Sequence, residues 1–147
     1  MNDANTTILY ERYPRLYRDR ILNTYESSMC WGFACGDGWF DLIDRLSASL
    51  ETECERLKVE EGWAEENLPV ASQVKAKLGS LRFYLRQQNG QWLYPSVQIE
   101  GLIEAARLES AHTCESCGCR VVPQSEHPSP ETLCGNCRKT AAWGSEK

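Results

Sequence analysis

The chain has 147 residues, enough for one domain with a core of its own, and five Trp and six Tyr mark a globular composition. Its formal net charge of −5 argues against a general nucleic-acid coat, because non-specific binding is mostly phosphate neutralisation by Lys and Arg. No run approaches 18 apolar residues, which excludes a membrane-spanning helix, and the start MNDANTTILYERYPR lacks the basic-then-apolar pattern of an export signal.

Residues 1–38 read as irregular. Tyr10, Tyr13 and Tyr17 alternate there with Arg12, Arg15, Arg18 and Arg20, and Pro14 interrupts helix. The run CWGFACGDGW at 30–39 is dense in Gly and aromatics and predicts a tight turn against the core. A helix is expected over 38–60, with Asp37 as its N-cap and Gly62 as its stop. Ile43, Leu46, Leu50, Cys54 and Leu57 form its apolar stripe. Residues 69–78 fit a short helix opened by Pro69, or a strand, since Val74, Ala76 and Leu78 alternate with polar neighbours. Leu81, Phe83 and Leu85 predict a strand, and Asn89-Gly90 predicts the hairpin turn after it. Ile99, Leu102, Ile103 and Ala106 predict a helix over 96–111. The fold class is therefore α+β: a core over 1–111 with an irregular N-terminal segment, and a small module over 112–147 docked on it.

Eight Cys in a chain without a visible export signal are expected in the reducing cytoplasm, where paired Cys bind metal more often than they form disulfides. Cys114-x2-Cys117, sixteen residues, then Cys134-x2-Cys137 lies within the C-x2-C-x15–20-C-x2-C pattern of zinc sites. Zinc takes four ligands in a tetrahedron, and thiolates suit it. Four thiolates leave no position for water, so the site is expected to be structural, holding one zinc ion. Cys119, His112 and His127 are weaker candidates. Cys30 and Cys35 read as small buried hydrophobes. The Cys134 half is expected to open a short helix.

No Gly-rich phosphate loop and no nucleophile elbow occurs, so no catalytic residue is assigned and the chain reads as a binding protein. The C-terminal segment resembles in part an HNH nuclease, with Glu126-His127-Pro128 between the Cys pairs and Leu133-Cys134 to Cys137-Arg138-Lys139-Thr140 at the close. Arg138 stands where that family has His, and only six residues separate His127 from Cys134. The resemblance implies a zinc fold of treble-clef type rather than a working nuclease.

Charge is segregated. Asp37 to Glu66 carries ten acids and three bases, whereas Pro69 to Gly90 carries Lys75, Lys77, Arg82 and Arg86 and no acid. The acidic stretch suits a basic protein partner. The basic stretch, with Arg12, Arg15, Tyr17 and Arg18, makes a second candidate contact surface, for protein or for nucleic acid. Protein is the expected partner and DNA or RNA the alternative.

Four pieces together resemble an uncharacterised family of bacteria and their phages: Tyr13-Pro-Arg-Leu-Tyr17, the run at 30–39, Val74 to Tyr84, and the terminal Cys pairs. That setting implies a host-directed role, such as blocking a defence protein through protein–protein contacts.

Overall fold

Helix α2 (Phe40–Glu61) organises the fold, and a computed structural model describes residues 1–87, 96–122 and 131–143 around it. Ile43, Leu46, Leu50, Cys54 and Leu57 are buried along its length, as the stripe predicts, and Leu42 joins them. Gly62 ends it in the left-handed conformation with φ 71°, its N–H donating to the Leu57 and Lys58 carbonyls. Asp37 does not cap it. Asp37 opens a 3-10 turn (Asp37–Trp39), and α2 starts at Phe40 with no side-chain cap.

The N-terminal segment is a correction to the sequence reading. Asp3–Arg12 form a helix, α1, capped by the Asn2 side chain, which accepts from the Asn5 N–H at 2.8 Å. Only Leu9 of this helix is buried, so no apolar stripe betrays it. Tertiary polar contacts hold it instead. Asp37 Oδ1 accepts from the Asn2 N–H at 2.8 Å and from Asn5 Nδ2 at 3.0 Å.

Residues 69–78 resolve as strand rather than helix. Strand β2 (Val70–Lys77) pairs antiparallel with β3 (Ser80–Arg86) and parallel with the short β1 (Phe33–Ala34), in the order β1-β2-β3. The hairpin turns at Leu78-Gly79, where both residues have positive φ, 53° and 67°. The Asn89-Gly90 turn expected from the sequence lies outside the described residues.

Helix α3 (Val97–Ser110) matches its predicted span, with Ser96 as N-cap. It packs on α2 and on β3. Its last residue, Ser110, is fully buried and accepts the Leu81 N–H at 2.8 Å. The core lies between these helices and one sheet face, from which Val74, Leu81, Phe83 and Leu85 point inward. Tyr17, Trp39, Met29 and Leu16 complete it, each with no exposed surface. A short C-terminal helix, α4 (Gly135–Trp143), begins directly after Cys134. Among the described residues the molecule is a small single α+β domain of four helices and a three-stranded sheet, with a cysteine cluster at its C-terminal end. No helix among them is long and apolar enough to cross a membrane.

Candidate functional site

The cysteine cluster is built from a tight knuckle and a helix start. Thr113 bridges to Arg120, and the Cys114 N–H donates to the Cys119 carbonyl at 2.8 Å. The chain reverses between them through Gly118, whose φ is 75° and whose N–H donates to the Cys114 carbonyl at 2.8 Å. The second half enters at Cys134, just before α4. Backbone N–H groups point at sulfur across the cluster: Cys134 N–H to Cys114 Sγ at 3.3 Å and Cys137 N–H to Cys134 Sγ at 3.4 Å. These donors favour thiolate over thiol. The Cys137 N–H above all holds the Cys134 thiol down at about 6, and the Cys119 N–H lowers that of Cys117.

Sulfur atoms of Cys114, Cys117, Cys119 and Cys134 lie within 4.8 Å of one another, close enough to hold a metal ion. Cys117 and Cys134 are 3.8 Å apart, far beyond the 2.05 Å or so of a disulfide. This set holds three of the four expected ligands, Cys114, Cys117 and Cys134, together with Cys119, the weaker candidate of the sequence reading. The hairpin brings Cys119 back beside Cys117, a placement that the two-pair spacing does not reveal. Cys137, on the first turn of α4, is a fifth sulfur of the group, its side chain in contact with Cys114, Cys117 and Cys134. His112 lines a shallow hollow beside the knuckle with Arg120 and Gly118. His127 lies outside the described residues.

The run at 30–39 is the dock for this knuckle. Gly36 donates its N–H to the Glu115 carboxylate at 2.9 Å, Gly38 donates to the Glu115 carbonyl at 2.8 Å, and Trp39 Nε1 donates to the Thr113 carbonyl at 2.8 Å. A Cβ at Gly36 would stand 2.2 Å from the Glu115 carbonyl oxygen, and one at Gly38 2.2 Å from that of Cys114. Glycine is needed here for close backbone approach. On the other side, Thr132 Oγ1 donates to the Gly79 carbonyl in the β2–β3 turn, and its own carbonyl accepts the Glu115 N–H. Burial pushes the Glu115 carboxyl above its ordinary value.

Cys35 is buried, with its thiol pushed up to about 12 by desolvation, and Cys30 donates to the Ser27 carbonyl. Cys35 is the buried hydrophobe expected, whereas Cys30 is only partly buried.

The proposed contact residues divide sharply. Tyr17 is a correction: it is fully buried, its hydroxyl 2.6 Å from Ser47 Oγ, and its ring packs edge-on against Phe33. Arg15 bonds Glu51 and the Pro69 carbonyl, and Arg12 pairs with Asp44. Arg86 pairs with the buried Asp19. Arg18 is half-buried with one guanidinium nitrogen enclosed by protein. Arg12, Arg15 and Arg86 thus tie elements together, whereas the enclosed nitrogen of Arg18 has no hydrogen-bond partner among the described residues. Lys75, Lys77 and Arg82 are different. They share the outer face of the sheet with Gln73 and Tyr84, opposite the buried face. Lys75 stands directly across from Arg82, and no carboxylate among the described residues lies within ion-pair distance of any of the three cations. Glu104, the carboxylate whose charge Arg82 influences, is itself bound to Arg107. Beside this face runs a groove of about 360 Å³ lined by Tyr25, Ser27, Ser72, Lys75 and Tyr84.

The acidic stretch is in turn mostly compensated. Arg56 pairs with Glu53, Glu60 and Glu61, Lys58 with Glu55 and Glu65, Arg12 with Asp44 and Arg15 with Glu51. Seven of the ten carboxylates between Asp37 and Glu66 thus have a cation beside them.

No protein-family model, no curated protein and no solved structure matches this chain.

Proposed function

We propose that the chain is a zinc-stabilised binding protein that takes an anionic macromolecular partner on the outer face of its sheet. The zinc assignment is supported by fit. Zn–S bonds of about 2.3 Å span a tetrahedron with edges of about 3.8 Å, and Cys117 and Cys134 stand 3.8 Å apart. The donors are all sulfur, which favours zinc, Cu(I) or iron–sulfur chemistry over the oxygen-loving Mg2+ and Ca2+, and the two-pair spacing favours zinc among these. Thiolates at all four positions close the site, so its role is to hold the knuckle on the core.

One observation carries the choice of surface. Like charges directly opposite on adjacent strands destabilise a sheet, yet Lys75 faces Arg82 with no carboxylate within ion-pair distance among the described residues, Glu104 acting on Arg82 only from beyond that distance while bound to Arg107. A partner's negative charge supplies the missing term. The acidic helix supports a contact less well, because its carboxylates are largely paired already. A host or defence protein, the partner class that the phage-family resemblance suggests, fits this reading if it presents acidic side chains.

The test is binding of fluorescein-labelled polyglutamate and of a labelled oligonucleotide to zinc-loaded protein and to its Lys75→Glu/Lys77→Glu variant. The reading expects at least one probe to bind and the variant to lose it. Equal binding by folded variant and parent removes this face from the function. Metal analysis should find about one zinc per chain.

A further inference from the structure

The partner's chemistry can be narrowed from what lies beside the cations. Lys75 and Lys77 are two residues apart along β2, about 6.8 Å for a strand, and Arg82 sits across from Lys75 on β3. This is a short row of charge, suited to a polyanion rather than to a single ion. The groove at its end is aromatic. Tyr84 lines it from β3, and Tyr25, 98% exposed, lines it from the loop between Leu22 and Ser28. Lys75 Nζ stands 5.6 Å from the Tyr84 ring centroid, so the charged row and the groove meet there. Gln73, Ser28 and Thr24 add donors and acceptors to the wall. Trp31, 77% exposed, follows at the end of the adjoining 3-10 turn.

We propose that this face binds single-stranded nucleic acid, with phosphates on Lys75, Lys77 and Arg82 and an unpaired base in the groove against Tyr84 and Tyr25. The inference rests on the anionic-partner reading above and specifies its occupant. An acidic peptide would use the cations and leave the aromatic groove empty. A nucleotide chain uses both, because phosphates alternate with flat rings that stack on aromatic side chains whatever the base. A duplex keeps its base faces stacked internally and cannot present one to the groove. One acid, Glu26, lies on the groove wall, and Asn23 Nδ2 donates to it. Its charge places the phosphates toward the Lys75–Arg82 end. The net charge of −5 sits largely on α2, where most carboxylates are paired, so affinity is expected to be modest and strongly salt-dependent.

The experiment is fluorescence anisotropy with the zinc-loaded full chain and four labelled probes: twelve-nucleotide oligo(dT), twelve-nucleotide oligo(U), a twelve-base-pair duplex and polyglutamate. Single strands should bind at low salt, and three phosphate contacts give a log–log salt slope of about −2. Lys75→Ala/Lys77→Ala should weaken binding about ten-fold or more and flatten the slope. Tyr84→Ala should weaken it by roughly 5- to 100-fold with the slope unchanged, and Tyr84→Phe should restore it. That split between slope and affinity is not produced by a general loss of structure, and circular dichroism and metal content confirm each variant as folded. Polyglutamate or duplex bound as tightly as the single strands, through the same lysines, would overturn the nucleic-acid inference and leave the anionic-partner reading standing. No probe bound at low salt would overturn both.

Discussion

Gly38 donates its backbone N–H to the carbonyl of Glu115 at 2.8 Å, across a gap too narrow for any side chain. The 3-10 turn that leads into α2 is thereby joined to the metal knuckle near the C-terminus. Gly38→Ala would put a methyl group 2.2 Å from the Cys114 carbonyl oxygen. Neither backbone can give way without breaking the Gly38–Glu115 bond. We expect a loss of about 1–3 kcal/mol from overpacking, with more if the knuckle detaches. Thermal unfolding of the zinc-loaded variant should show a lower midpoint, and chelator competition should show weaker metal retention. An unchanged midpoint would mean that the two segments are not in register as described.

Five thiols compete for four coordination positions. Cys114, Cys117 and Cys134 belong to both the spatial set and the spacing-derived set, whereas Cys119 and Cys137 alternate between them. Cys114→Ser should therefore abolish metal binding. Cys119→Ser and Cys137→Ser should each keep one metal per chain with reduced affinity, since the other thiol can take the fourth position. The double variant should lose it. Native mass spectrometry with chelator titration reads all four. Complete metal loss in Cys137→Ser alone, with Cys119→Ser unaffected, would single out the spacing-derived set.

What the sequence discloses follows from how each element is held. Helices α2 and α3 are legible because apolar burial writes a period into them, at Leu46, Leu50 and Leu57 and at Ile99, Ile103 and Ala106. Helix α1 is not, because its attachment is polar: Asn2 and Asn5 reach Asp37, 32 to 35 residues away. The hairpin turn was hidden for a different reason. Leu78 takes a positive φ that its residue type rarely signals, so Asn89-Gly90 carries the stronger local cue. The metal site was legible as a spacing, but Cys119 required the knuckle's return pairing. Tyr17 misleads because an arginine-rich neighbourhood looks like surface, while its ring fills the core.

Asp37 gives a pH-dependent prediction. The Asn2 N–H, then the Asn5 side chain, stabilise its charged form and hold its carboxyl below the ordinary value. A carboxyl depressed in the folded state contributes stability above its unfolded pKa of about 3.9, and that contribution is lost as pH falls through the folded value. Asp37→Asn should therefore be less stable than the parent at pH 7 and indistinguishable from it near pH 2. Urea midpoints at the two pH values decide it. Glu53 and Glu65, depressed by Arg56 and Lys58, keep part of the acid sensitivity in the variant. A difference that persists undiminished at pH 2 would mean that the Asp37 charge is not what tethers α1.

Tyr17 and Lys75 separate fold from contact. The Tyr17 hydroxyl meets Ser47 Oγ at 2.6 Å in the core, and Ser47 keeps a second bond to the Ile43 carbonyl at 2.7 Å. Tyr17→Phe removes one buried hydrogen bond without orphaning its partner, a cost of about 1 kcal/mol and a midpoint shift of about 2–4 °C for a chain this size. Tyr17→Ala removes the ring as well and should cost about 3–5 kcal/mol. Neither change reaches the outer sheet face, so Tyr17→Phe should bind a single-stranded probe as the parent does. Lys75→Ala should do the reverse, leaving the unfolding midpoint equal or raised, because it relieves the repulsion with Arg82, while weakening the probe. If Tyr17→Phe loses the probe and Lys75→Ala does not, the contact surface lies on the N-terminal segment and the sheet face is only a solvated one.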